Sequence, residues 1–312
     1  MIPKIDSHHH LWAINDTDYV WMGEAHAAIK RDFLPSHLQP LLDAAGIDGC
    51  VAVQARQMNG ETRWLLDIAE QDACIRGVVG WVPLLENAGE PCLGEFAAHP
   101  KLVGVRHVVH DEPDDDFILR ENFNAGIRQL SKYGLVYDIL IFARHLPQTL
   151  TFVDRHPGQP FVVDHIAKPV IRGSAFDASW DRQLRDLARR ENVSCKLSGM
   201  VTEVRDAEWN ADLLRPYYET VLEAFGPRRV MFGSDWPVCL LRASYAAWVA
   251  AVTELASALS AHEQAAFWGG NAARIYHLCD PVGGWRTGRS LSRDKVRRNQ
   301  VAPPPSRKKN HR

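Results

Sequence analysis

The stretch Ile5-Asp6-Ser7-His8-His9-His10-Leu11-Trp12 places two imidazoles two residues apart, directly behind an apolar residue. On a strand, His8 and His10 share one face and His9 points to the other. Two imidazoles on one face can hold a divalent cation. A short histidine run can also be incidental, or the remnant of a tag. Asp6 on one side and Leu11-Trp12 on the other give this one a strand-like setting.

Seven more short apolar runs follow. They are Cys50–Val53, Gly77–Val82, Leu102–Val105, Leu135–Ile141, Phe161–Val163, Val193–Leu197 and Val230–Phe232. With Lys4-Ile5 they make eight. Each is continuously apolar rather than alternating, the pattern of buried parallel strands. Helical periodicity lies between them, over Thr62–Ala73, Leu119–Tyr133, Trp180–Arg190 and Leu213–Phe225. Two further helices are expected over Ala243–Leu259 and Ala261–His277, the second opening on a Ser260…Glu263 capping box. From His10 to Asp235 the spacing is about 32 residues per unit, enough for a strand, a helix and two loops. The expected fold is a single-domain α/β chain, a (β/α)8 TIM-type barrel over residues 1–280. A doubly wound sheet would carry a Gly-rich phosphate turn after an early strand, and this sequence has none. Residues 13–34 form a long connection of the kind that is often functional or lid-like.

Composition narrows the function. Of 312 residues, 46% are hydrophobic and 24% charged, which suits a globular core. No run of about 18 apolar residues is present, so no membrane span is expected. The first residues lack a signal peptide's apolar stretch, and the cytoplasm is the expected compartment. Six scattered cysteines form no CxxC pair, which argues against a zinc ribbon or a disulfide scaffold. The net charge of −2 hides an asymmetry: residues 281–312 hold ten Lys and Arg against one acid. That basic segment, with Pro303–Pro305, is expected to be a disordered tail. The body is therefore acidic, so neither a nucleic acid nor a membrane is expected as its partner. A homo-oligomer is compatible with the sequence.

In a barrel the chemistry sits where the strands end. Just past the runs come His8 and His10, Gln54, Trp81, Arg106 and His107, then Asp164 and His165, Lys196, and finally Asp235 with Trp236. Run five itself carries Asp138. Each residue alone has an ordinary structural explanation: a core histidine, a turn aspartate, an ion pair, a core tryptophan. All of them falling at strand ends points to a site. Asp235 could supply an oxygen ligand opposite the His pair, and the tryptophans could form a wall for a ring-shaped substrate.

These residues resemble the amidohydrolase superfamily, and within it the lactonase branch that opens sugar lactones. The matching pieces are Ile5–Trp12, Gly104–His107, Val163–Pro169, Cys195–Gly199, Phe232–Pro237 and Trp268–Tyr276. The resemblance implies a (β/α)8 barrel whose site is built from His8, His10, His165 and Asp235. Two-metal members of the superfamily place a carboxylated lysine or a glutamate after strand four. Here Arg106-His107 stands there, so the expectation is one divalent metal, zinc or else manganese, on His8, His10 and Asp235. Metal-independent hydrolysis is known in the branch and stays open.

The expected reaction is opening of an aldonolactone such as L-fuconolactone or L-galactonolactone. Asp235 and His165 are the expected catalytic residues. Gln54, Trp81, Arg106, His107, Lys196 and Trp236 are the expected substrate contacts. Arg106 and Lys196 could equally clamp a carboxylate, which leaves a dicarboxylate lactone as an alternative. A metal-dependent nonoxidative decarboxylase of the same superfamily is the other.

Overall fold

Each of the eight runs becomes a strand in the computed structural model, which describes residues 2–15, 17–19, 22–85 and 89–278. The strands are β1 Ile5–His9, β2 Gly49–Val53, β3 Ile75–Gly80, β4 Leu102–Val108, β5 Val136–Leu140, β6 Phe161–Val163, β7 Val193–Leu197 and β8 Val230–Phe232. They pair in parallel in the order β1 to β8. Each is followed by a helix that packs outside the sheet: α1 Pro35–Ala45, α2 Asn59–Gln71, α3 Gly89–Ala97, α4 Glu121–Leu130, α5 Leu146–Asp154, α6 Ala178–Ala188, α7 Ala211–Phe225 and α8 Tyr245–Leu255. This is a TIM-type barrel. The expected basic tail, 281–312, lies outside the described residues.

Helix starts follow from side-chain acceptors. Asp177, Asn210 and Ser244 accept from Trp180, Leu213 and Ala247 N–H, and the Ser260–Glu263 capping box forms. The helix expected over Ala261–His277 is interrupted. It divides into α9 Ala261–Ala265, a π turn over Ala266–Gly270 and α10 Asn271–Ile275.

The seam between β8 and β1 is closed largely by side chains. Ser7 Oγ donates to Phe232 O at 2.6 Å, and Asp6 Oδ1 accepts from Ser234 N at 2.8 Å. Asp235 N and His10 N add backbone bonds to His8 O and Trp236 O. A single parallel bridge joins His9 to Trp236.

Inside the barrel, Ile5, Val51, Val53, Val79, Val103, Val136, Val162 and Met231 pack with Ala272, Tyr276 and Leu278. The C-terminal helical turns thus plug the end of the barrel opposite the strand tips. The larger apolar cluster lies between sheet and helices. The 13–34 connection is tied down at both ends. Trp12 and Phe33 exchange two backbone bonds, and Tyr19, Met22, Ile29 and Phe33 are buried. Four of the five described cysteines are buried, and all five are free thiols. Among the described residues no helix is long and apolar enough to cross a membrane.

Candidate active site

At the C-terminal ends of the strands, four side chains meet on one atom. Asp235 Oδ1 lies 3.4 Å from His10 Nε2, 3.7 Å from His165 Nε2 and 3.8 Å from His8 Nε2. His8 Nε2 and His10 Nε2 are 3.3 Å apart. All four residues are buried.

Local backbone sets this convergence. His8 ends its inward turn on β1, and His10 follows just past the strand. Asp235 sits beyond β8 with φ 57°, next to a cis Trp236–Pro237 peptide. His165 opens a turn after β6 in which His165, Ile166, Ala167 and Lys168 all have positive φ, between 46° and 61°. None is glycine, so each costs roughly 1–2 kcal/mol of backbone strain. Such strain gathers at functional sites. Gly199 has φ 65°, and a Cβ there would lie 2.6 Å from His165 Nδ1, so only glycine lets the β7 loop approach this ring.

Each imidazole is held by its far nitrogen. His10 Nδ1 bonds Val53 O at 2.8 Å, and His165 Nδ1 bonds Ser198 Oγ at 2.8 Å. His8 Nδ1 lies 3.3 Å from Asp164 Oδ1. A proton on His10 Nδ1, which faces a carbonyl oxygen, leaves its Nε2 lone pair directed at the common point. This is the outer arrangement that orients metal-binding histidines. Burial keeps His8 and His165 well below the ordinary imidazole range, so both rings are neutral. Burial also pushes Asp235 up, but the basic groups around it, the Lys168 ammonium among them, more than offset it and hold its carboxyl below the usual range.

The donor set fits a divalent ion. Tetrahedral zinc with bonds of about 2.0–2.1 Å places its ligands about 3.3–3.4 Å apart. The observed separations are 3.3 to 3.8 Å. His8, His10 and Asp235 form one group able to hold a metal, and His8, Asp164 and His165 form a second that shares His8.

Beneath the cluster lies a buried ionic layer. Lys196 Nζ contacts Asp138 Oδ2 at 2.5 Å, Asp164 Oδ1 at 3.1 Å and His8 Nδ1 at 3.2 Å. Tyr276 donates to Asp138 at 2.8 Å. Arg106 contacts Asp164 at 3.0 Å and His8 Nε2 at 3.3 Å, and also donates to Gln54 O. Lys196 has no exposed surface, so this layer encloses the cation that the sequence suggested for substrate binding.

The other expected contacts separate. Trp236 is 1% exposed and packs edge-on against Phe33. Gln54 is buried, and its Oε1 has no hydrogen bond among the described residues. Trp81 is half-buried and donates to His107 Nδ1 at 3.3 Å. His107 Nε2 pairs with Glu112 at 2.6 Å. Two residues that the sequence reading passed over stand at the rim. His110 stacks on Phe142 at 4.7 Å, and burial pushes its pKa down to about 2. Lys168 lies over the same ring, 5.5 Å from its centroid. Its only sequence signal is its place in the Asp164–Pro169 stretch.

Several known proteins are similar to this chain. The family described as amidohydrolase matches residues 5–278. A Burkholderia multivorans protein named L-fucono-1,5-lactonase is 42% identical over 295 residues, covering 89% of this chain and 97% of its own. A Burkholderia ambifaria protein of the same name is 37% identical over 286 residues, covering 90% and 97%. The solved structure of a Burkholderia multivorans amidohydrolase with bound zinc aligns with a TM-score of 0.82. It is 42% identical and covers 88% of this chain and 99% of that one.

Proposed function

The chain belongs to the amidohydrolase family, and on that premise we propose that it opens a sugar lactone, an aldonolactone of the L-fucono or L-galactono type, to the aldonic acid. The names of its Burkholderia relatives support the substrate class. The convergence of three Nε2 atoms on Asp235 Oδ1 is the observation that carries the reading.

Asp235 is the proton acceptor. Its neighbours keep it ionised, so it can take a proton from a water as that water attacks the ring carbonyl. A carboxylate is a weak base, and its fixed position beside the attacking water supplies most of the help. The protonated Asp235 then returns the proton to the ring oxygen as the acyl C–O bond breaks. His165, whose Nδ1 accepts from the Ser198 hydroxyl, donates its Nε2–H to the carbonyl oxygen as charge builds there. His8, His10 and Asp235 would hold one divalent ion, zinc by the chemistry of the donors. Bound there, the ion would supply Lewis-acid stabilisation of the developing charge. The half-buried Trp81 offers its ring to a sugar face. Lys196 and Arg106 hold His8 and Asp164 in place from below rather than touching the sugar.

A pH-indicator assay over L-fucono-, L-galactono- and L-rhamnono-lactones, before and after chelation, tests the reading. The expected result is acid release from at least one lactone, lost on chelation and restored by zinc. Release from none of them overturns the substrate class. Release that survives chelation removes the metal and leaves Asp235 and His165 to act alone.

A further inference from the structure

Lys168 carries an ammonium with three donors. Among the described residues this ammonium makes no hydrogen bond; the carboxylate within 4 Å of it is Glu203 Oε1 at 3.9 Å, and Asp111 and Asp235 feel its charge from further off. Glu203 is already engaged by Arg205 at 2.7 Å. Yet the Lys168 side chain is only 19% exposed. A cation so largely covered and so poorly paired is costly unless something arrives to pair with it. Its position is also costly. Lys168 has φ 46° and ends the left-handed turn that begins at His165, closed by Lys168 N donating to His165 O at 2.8 Å. That turn ties the ammonium to the catalytic imidazole three residues away. Its charge bears on His165, His110 and Asp235 alike. Below, by contrast, Lys196 is fully buried with Asp138, Asp164 and His8 at 2.5, 3.1 and 3.2 Å.

We propose that Lys168 is a substrate-contacting residue that binds the carboxylate of the ring-opened hydroxy acid. The assignment rests on the lactone reading. A lactone carbonyl is neutral, and hydrolysis leaves a carboxylate at the same carbon. An ammonium beside it therefore favours the side of the reaction on which charge appears.

Calorimetric titration of L-fuconate into the wild type, Lys168→Met and Lys168→Arg tests this. Lys168→Met is expected to weaken binding by on the order of tenfold to a hundredfold, and Lys168→Arg to recover most of it. The KM for the neutral lactone should move far less than the affinity for the acid. Glu203→Gln keeps the ammonium, removes its competing carboxylate and should tighten L-fuconate binding. That variant carries the test if Lys168→Met does not fold. Wild-type affinity in Lys168→Met, unchanged or weaker binding in Glu203→Gln, or a wild type that does not bind L-fuconate each overturns the proposal. A wild type that hydrolyses no lactone but binds L-fuconate through Lys168 leaves this assignment standing and sinks the lactone reading alone.

Discussion

Two lysines flank the His8–His10–His165–Asp235 cluster, one below it and one at its rim, and they are built into the protein in opposite ways. Lys196 lies fully buried between Asp138, Asp164 and His8. Lys168 stands partly exposed over Phe142, and its ammonium makes no hydrogen bond among the described residues. Both are cations near one reactive point, and both are candidate substrate contacts by residue type alone. The difference lies in what each can still give. A saturated cation fixes its surroundings, while an unsaturated one awaits a partner. The lower layer holds the imidazoles at their angles, and the rim meets the substrate.

The largest test of that division is Lys196→Met. It strands Asp138 in the interior with Tyr276 alone, takes one of two cations from Asp164, and should cost about 3–5 kcal/mol of stability by chemical denaturation. Adding Asp138→Asn should recover part of this, because an apolar or neutral replacement of both partners is far less costly than breaking one. A Lys196→Met protein of wild-type stability with a raised KM would move Lys196 to the substrate side.

Ser198→Ala probes the next link. It removes the 2.8 Å bond to His165 Nδ1 while leaving the ring in place. His165 is not among the three proposed metal ligands, so the loss is expected in turnover, by about 10- to 100-fold, with zinc affinity little changed. Zinc titration of the metal-free protein and turnover at saturating zinc would separate the two. No change in either would mean that His165 is oriented by packing, with Gly199 as the close neighbour.

A smaller effect sharpens the contrast at the rim, where not every buried charge is free. Glu61 accepts from Ala55 N at 3.0 Å and Arg56 N at 2.6 Å, and Arg56 in turn holds Asp18. Burial nonetheless pushes Glu61 from 4.5 up to about 7. Between those values the folded chain binds more protons than the unfolded one. The contribution of Glu61 is therefore full below pH 4.5 and lost as pH rises through 7. Glu61→Gln lacks that slope, so its stability should gain on the wild type as pH rises from 4.5 to 7. Urea midpoints at three pH values would show it; a gap that stays constant would contradict it.

The sequence carried the frame of this molecule clearly. Buried parallel strands need continuous apolar runs, so Cys50–Val53 and Val193–Leu197 are legible without partners. His8, His10, His165 and Asp235 were legible too, because each stands at the end of such a run. What the sequence could not show is which cations are already paired. Lys196 meets Asp138 from β5 and Asp164 from just past β6, 58 and 32 positions away in the chain, and no local pattern encodes those meetings. Lys168 was hidden for a related reason. Its importance comes from a left-handed turn that Ile166, Ala167 and Lys168 do not favour locally and that the surrounding fold imposes. The interrupted helix after Ser260 has the same origin: periodicity over Ala261–His277 was continuous, but the chain takes a π turn at Ala266–Gly270 where it packs against β1 and β8.

The central claim, that Asp235 is the proton acceptor of a lactonase, is tested most directly by Asp235→Asn on L-fucono-1,5-lactone, with kcat and KM determined beside the wild type. The substitution keeps the size and removes the base. The expected result is a fall in kcat on the order of 100-fold or more, with a much smaller change in KM and an intact fold by circular dichroism. Turnover by Asp235→Asn near the wild-type rate would contradict it.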